Sequence, residues 1–220
     1  MPAMYDQEYE TSWKYVIWDW NGTLLDDLWL ALEVANGMLR RRGKPEMDTY
    51  RYREIFDFPV EHYYRRAGFD FALEPFSVLA DEFIAGFNSQ VHQCPLHDGV
   101  EEVLHALQQR NVTQMVLSAS RETSLRDAVH HHRLHHYFDA LHGLSDHLAV
   151  SKAQVGRELI VRSGIDPRQA LMVGDTVHDA EVAREIGVAC ILIASGHHSR
   201  NRLEATGVPV YDTLRETALA

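Results

Sequence analysis

The chain has 220 residues, 45% of them hydrophobic and 24% charged, with a formal net charge of −11. That length and balance fit a soluble globular protein with one core domain plus an insertion. The acidic excess argues against general nucleic-acid binding, which favours a basic patch. No apolar stretch approaches the ~20 residues that a membrane-spanning helix needs.

In chain order, the opening MPAMYDQEYETSW is acidic and polar, unlike a secretory signal. The two cysteines, Cys94 and Cys190, are too few for a disulfide framework and read as free thiols. Both features point to a reducing cytoplasm. Tyr15–Trp18 is the first predicted strand, and Thr113–Leu117, Ala170–Val173, Ala189–Ile193 and Val208–Tyr211 follow. These runs are continuously apolar, the pattern of strands buried on both faces. Helical periods lie between them. Val100, Val103, Leu104 and Leu107 share one face, and a helix over 179–186 ends at Gly187, a natural left-handed cap. The alternation predicts a Rossmann-like α/β core, a parallel sheet with helices on both faces.

One interval interrupts the alternation. Leu28, Ala31, Leu32, Ala35 and Leu39 form an apolar helical stripe. It ends in Arg40-Arg41-Arg42-Gly43-Lys44, a basic run suited to the negative end of a helix dipole. Phe76, Leu79, Ala80, Phe83 and Phe87 form a second stripe, opened by Pro75. Shorter helices are expected around Pro59. The predicted organisation is therefore a core of residues 1–25 and 95–220, interrupted by an all-helical insertion over 26–94.

In open α/β sheets, functional groups gather at the carboxyl ends of the strands. The first strand ends in Asp19-Trp20-Asn21-Gly22-Thr23, the second in Ser118-Ala119-Ser120, and the third in Gly174-Asp175 with Asp179 four residues on. Lys152 opens the helix before the third strand. Singly, each acid could be a helix cap and each glycine a turn. Together, three converging carboxylates call for a cation, and an oxygen-rich acidic site suits Mg²⁺. Lys152 and Ser118 add positive charge and a donor for an anionic ligand. That set matches phosphoryl transfer to a carboxylate nucleophile.

These four motifs in this order, Asp19-x-Asn21-Gly22-Thr23, Ser118, Lys152 and Gly174-Asp175-x-x-x-Asp179, resemble the haloacid dehalogenase superfamily in its phosphoglycolate-phosphatase-like branch. The resemblance runs from about Tyr15 to the carboxyl terminus and includes the insertion, which would be a helical cap domain. It implies Mg²⁺-dependent hydrolysis of a small phosphorylated metabolite through an aspartyl-phosphate on Asp19. Ser118 and Lys152 would hold the phosphoryl oxygens, with Gly22, Thr23 and Ala119 shaping the cradle. Asp19, Asp175 and the backbone carbonyl of Asn21 would bind Mg²⁺, with Asp179 as ligand or anchor. Arg65, with His62, Tyr63 and Arg66 nearby, is the cap residue set that could reach a substrate anion.

Asn21 departs from the pattern, because phosphatases of this family normally carry Asp there as general acid and base. An amide donates a hydrogen bond but delivers no proton at neutral pH. Losing a general acid typically costs ~10²–10⁴ in rate. The resemblance then implies a phosphatase slow on alkyl phosphates and better on acyl or aryl phosphates, with Asn21→Asp expected to speed the alkyl ester. A phosphometabolite-binding regulator without turnover and, behind it, a phosphomutase are the alternatives. Among the histidines, His131/His135 and His132/His136 share helical spacing but read as a solvated face. His178 and His197-His198 lie near the predicted site. Trp18 is expected in the core and Trp20 against the pocket.

Overall fold

The structure, a computed structural model, describes residues 13–144 and 151–219. The acidic opening segment, apart from Trp13, lies outside the described residues. Six parallel strands form one sheet in the order β3-β2-β1-β4-β5-β6. They are β1 (Tyr15–Trp18), β2 (Thr113–Arg121), β3 (Ala140–Leu144), β4 (Ala170–Gly174), β5 (Ala189–Ile193) and β6 (Val210–Tyr211). The helices are α1 (Leu28–Arg41), α2 (Thr49–Ile55), α3 (Val60–Ala67), α4 (Phe76–Asn88), α5 (Val100–Gln109), α6 (Glu122–His131), α7 (Lys152–Arg162), α8 (Val177–Ile186) and α9 (Arg200–Glu204). No helix among the described residues is long and apolar enough to cross a membrane.

The central strand shows why the apolar runs are unbroken. Val16 and Trp18 pack into one core with the insertion and α5, whereas Ile17 packs on the opposite face against Met115, Met172 and residues of α7 and α8. A strand covered on both sides has no polar face to alternate with. The strand missed by that criterion is β3. It lies at the sheet edge, paired only to β2, and its burial alternates along Ala-Leu-His-Gly-Leu. Strand β2 runs past Leu117 to Arg121 with an irregularity in register, and β6 is two residues shorter at its start than expected.

Between β1 and α5 the described chain is helical, as the two stripes predict, with adjustments. The buried face of α1 is centred on Leu30, Val34, Ala35, Met38 and Leu39, while Leu28 and Leu32 are only half-buried. In α4 only Leu79 is fully buried, and Pro75 is the residue just before the helix. The basic run does more than face a dipole. Arg41 and Arg42 bind Glu82, and Arg42 also binds Glu74, tying α1 to α4. The chain enters and leaves the insertion side by side. The Asp26 N–H donates to Pro95 O, the His97 N–H donates to Leu24 O, and Leu25 bridges Leu96 in antiparallel fashion.

The helix α2 rests on the loop after β5. Arg53 donates to the carbonyls of Ser195 and Gly196, Ser199 donates to Glu54, and Arg202 donates to the carbonyls of Arg53 and Phe56. The insertion therefore covers the carboxyl edge of the sheet.

Candidate active site

Strand register assembles the site. Trp18 lies opposite Val116 on one side and Val173 on the other. Asp19 is thus one residue past the aligned row, and Ser118 and Asp175 are two past it, on three adjacent strands at the same edge. Lys152 reaches them from the first turn of α7, where Ser151 caps the helix by accepting the Gln154 N–H.

The groups meet in a buried cluster. Lys152 is 4% exposed, and its ammonium donates to Asp19 Oδ1 and, at 2.6 Å, to Asp179 Oδ1. The Thr23 hydroxyl donates to Asp175 Oδ1 at 3.0 Å and sits 3.5 Å from Asp19 Oδ2. Asp179 is also a helix cap. Its Oδ2 accepts from the Asp175 and Thr176 N–H groups and from the Thr176 hydroxyl, which in turn accepts the Asp179 N–H. Cap and charge partner are two ends of one carboxylate here: Oδ2 closes the turn before α8 while Oδ1 meets Lys152.

Carboxylate oxygens of Asp19, Asp175 and Asp179 lie within 4.8 Å of one another. Burial pushes the Asp19 carboxyl up to about 8 despite Lys152, and burial likewise raises Asp175 to about 6. For Asp179 burial acts in the same direction, but Lys152 outweighs it and holds this carboxyl below its usual range. Burial would pull the Lys152 ammonium down, yet Asp179 and Asp19 outweigh it and keep it charged. Burial makes three adjacent carboxylates costly to ionise together, and an all-oxygen donor set of this kind fits a hard divalent cation.

Glycines make room for Asp175. Gly22 has φ +75°, and a Cβ there would collide with the Asp175 carboxylate and the His197 ring. A Cβ at Gly196 would strike Asp175 from the other side. Ser118 is buried, with its Oγ accepting the Ser120 N–H, and Ala119 is half-buried beside it.

Asn21 is held at both ends. Its Nδ2 donates to Asp27 Oδ2 at 2.7 Å, and its Oδ1 accepts from the Ser120 hydroxyl at 2.7 Å. Asp27 also accepts the Gly22 N–H, at 2.8 Å, and lies 3.2 Å from His197 Nε2. His197 sits 3.0 Å from the Tyr52 hydroxyl through Nδ1, and its backbone N–H donates to Asp175 Oδ2 at 2.6 Å. Burial disfavours the His197 cation, but Asp27 outweighs burial and pushes the imidazole up to about 9. Asp27, Ser120, Tyr52 and Arg53 were not among the residues that the motifs single out. The one hint for Asp27 is an acid immediately before a helical stripe, which reads as a cap.

Other candidates lie elsewhere. Arg65 is on the exposed face of α3, 3.6 Å from Glu61 and stacked over Phe71, and it is not brought to the cluster. Arg66 pairs with Asp57, His62 is exposed, and Tyr63 is buried among aromatic rings. His178 stacks on Phe58 at the surface. His198 accepts the Val177 N–H and is buried beside Phe56. The i, i+4 histidine spacing, read as a solvated face, is not helical at all, because α6 ends at His131 and Arg133 turns the chain with φ 59°. His131 instead stacks on His92, and His130 on His135. Trp18 is core, its indole donating to Gln114, and Trp20 is buried with its indole N–H unpartnered among the described residues. Both cysteines are free and buried.

The profile of haloacid dehalogenase-like hydrolases matches residues 16–193. The phosphoglycolate phosphatase of Synechococcus elongatus is 25% identical over 194 residues, covering 86% of this chain and 88% of that protein. The 5'-nucleotidase of Pseudomonas aeruginosa is 28% identical over 195 residues, 86% of each. Among solved structures, a haloacid dehalogenase-like hydrolase of Streptococcus pneumoniae shares the fold with a TM-score of 0.78 at 21% identity, over 90% of this chain and 92% of that one.

Proposed function

The chain belongs to the haloacid dehalogenase-like hydrolase family, and we propose that it is a Mg²⁺-dependent phosphatase for a small phosphorylated metabolite, working through an aspartyl-phosphate on Asp19 and biased toward good leaving groups. Phosphatase activity on phosphorylated substrates follows from the family and from relatives named phosphoglycolate phosphatase and 5'-nucleotidase. The observation that carries the finer reading is the buried meeting of Asp19 with Lys152, Thr23, Asp175 and Asp179.

In this reading an Asp19 carboxylate oxygen attacks phosphorus, the P–O bond to the leaving group breaks, and water later cleaves the acyl phosphate. Lys152 and Ser118 hold the phosphoryl oxygens, the Ala119 backbone N–H completes the cradle, and the Gly22–Thr23 turn shapes it. Asp19, Asp175 and the Asn21 carbonyl would hold Mg²⁺, with Asp179 as the anchor that fixes Lys152. The bound cation would neutralise the carboxylates and polarise a phosphoryl oxygen. Asn21 can steady the leaving oxygen with an N–H but gives it no proton, so it leaves as an anion. Acyl phosphates tolerate that and alkyl phosphates do not. Residues 26–94 act as the cap over a core of 1–25 and 95–220, and α2 supplies the covering surface.

The test is turnover of acetyl phosphate against an alkyl phosphate with Mg²⁺, on this protein and Asp19→Asn. Faster acyl turnover and a phosphoenzyme, both lost in Asp19→Asn, are expected. Equal rates on both esters, or turnover surviving without Asp19, refute the reading. A stoichiometric burst without turnover on either ester favours a phosphometabolite-binding regulator instead.

A further inference from the structure

Asp27 is a puzzle in its own helix. It occupies the position just before α1, where an aspartate ordinarily accepts a first-turn N–H. Its side chain makes no such bond. The carboxylate instead turns away from the helix into the catalytic loop and is 1% exposed. Three donors surround it there, Asn21 Nδ2, the Gly22 N–H and His197 Nε2. A buried acid that gives up its cap for these partners is serving them.

A carboxylate is an acceptor on both oxygens, so it admits only the nitrogen end of the Asn21 amide. The Ser120 hydroxyl fixes the oxygen end from the strand that carries Ser118. One amide N–H is spent on Asp27, and the second has no partner among the described residues. We infer that Asp27 is the positioning residue for Asn21, holding its amide nitrogen-inward so that the second N–H is presented to the leaving-group oxygen, and that positions 21 and 27 form one amide–carboxylate pair. This rests on the phosphatase reading above and deepens it.

The pairing changes what a substitution at position 21 does. Asn21→Asp alone sets two carboxylates against each other where a 2.7 Å hydrogen bond now stands. Repulsion in a buried site turns the new acid away from the substrate. Exchanging both, Asn21→Asp with Asp27→Asn, restores one amide and one carboxylate in reversed order. The amide oxygen at 27 still accepts from Gly22 and His197, and its NH₂ can donate to the acid at 21.

The experiment is a double-mutant cycle of wild type, Asn21→Asp, Asp27→Asn and the exchange. It is read by Tm and by kcat and KM on acetyl phosphate and an alkyl phosphate. Each single substitution is expected to lower Tm, and the exchange to recover most of the loss. Asp27→Asn should lower kcat on acetyl phosphate on the order of tenfold with KM little changed, since only a transition-state contact is misplaced. Asn21→Asp alone should not speed the alkyl ester, while the exchange should raise its kcat by at least about tenfold, the low side of a restored general acid. Additive effects on kcat, or an Asn21→Asp variant as fast as the exchange, overturn the assignment. Recovery of Tm without recovery of kcat overturns it too, because the pair is then only packing. If wild type turns over neither ester, the phosphatase reading fails, and the thermal cycle alone decides the pairing, with recovery supporting it and additivity refuting it.

Discussion

Replacing Lys152 by methionine keeps most of the side chain's length and removes its charge. The ammonium is buried, and it bonds two carboxylates, Asp19 and Asp179, with Asp175 close by. Removing one member of a buried ion pair typically costs about 3–5 kcal/mol, because the remaining charge is stranded. For a chain of this size each kcal/mol moves Tm by about 2–4 °C. Lys152→Met should therefore lower Tm by about 6–20 °C in a chelator. The same argument gives a sign for metal. With the ammonium gone, Asp19 and Asp179 lose their direct charge partner, so millimolar Mg²⁺ should raise Tm more in the variant than in wild type. The assay is differential scanning calorimetry at pH 7.5, with chelator and with Mg²⁺, while kcat on acetyl phosphate reports the functional loss. A Tm within about 2 °C of wild type in chelator would refute the claim that Lys152 balances these carboxylates. An equal Mg²⁺ response in both proteins would refute the trio as a cation site.

Asp19→Asn should abolish turnover and, in chelator, should also change the pH dependence of stability. Burial lifts the Asp19 carboxyl to about 8 from an ordinary 3.8, so the folded state holds a proton that the unfolded state has released. Stability from this group is complete below pH ~4 and is lost as pH rises toward 8. The variant should thus gain on wild type as pH rises through that window, measured by urea unfolding at pH 5 and 8, and a constant difference would count against the burial argument. Gly22→Ala should cost more than ~1 kcal/mol, because the residue has φ +75° and its methyl strikes Asp175. Wild-type stability and kcat in that variant would show the turn to be looser than described. Arg53→Ala removes two hydrogen bonds from α2 to the Ser195 and Gly196 carbonyls. Hydrogen exchange over 49–56 should quicken, and unchanged protection would mean that these bonds do not hold α2 down.

The residues of the four motifs were legible because their positions follow from local rules. Each of these strands is an apolar run, each functional group follows that run directly, and parallel register brings the runs level. Lys152 needs only a helix start to be placed. What was not legible depends on loop folding. Asp27 and His197 are 170 positions apart, and nothing in either neighbourhood announces the other. Asp27 stands where a cap for α1 would stand, but the loop offers it better donors. Ser120 is one of two serines at the end of β2, and only the structure shows that Ser118 is buried and accepts the Ser120 N–H while the Ser120 hydroxyl takes the amide. The helical spacing assumed for the histidines failed for a simpler reason. The helix stops at His131 without a glycine to mark it, since Arg133 itself adopts the left-handed conformation. Arg65 looked suited to an anion by residue type, but α3 turns it to Glu61 and Phe71.

The loop after β5 joins two tasks that the sequence keeps apart. Through His197 it touches Asp175 and Asp27, and through Ser195, Gly196, Ser199 and Arg202 it grips α2. Asp19, Ser118 and Lys152 are buried, so on the proposed reading a substrate would need α2 to lift to reach them. The bonds that lifting breaks run from α2 to the loop, whereas the bond from the loop to Asp175 lies within the core and the contact to Asp27 lies at the very start of the insertion, ahead of α1. The carboxylates can therefore stay placed while the cover moves. Tyr52 is the exception that couples the two, because its hydroxyl ends the Asp27–His197 chain on the moving side. On the proposed reading, lifting α2 would strip one hydrogen bond from His197 and leave its contact with Asp27 in place, so the Asn21 amide would keep its orientation and meet an incoming phosphate already aligned.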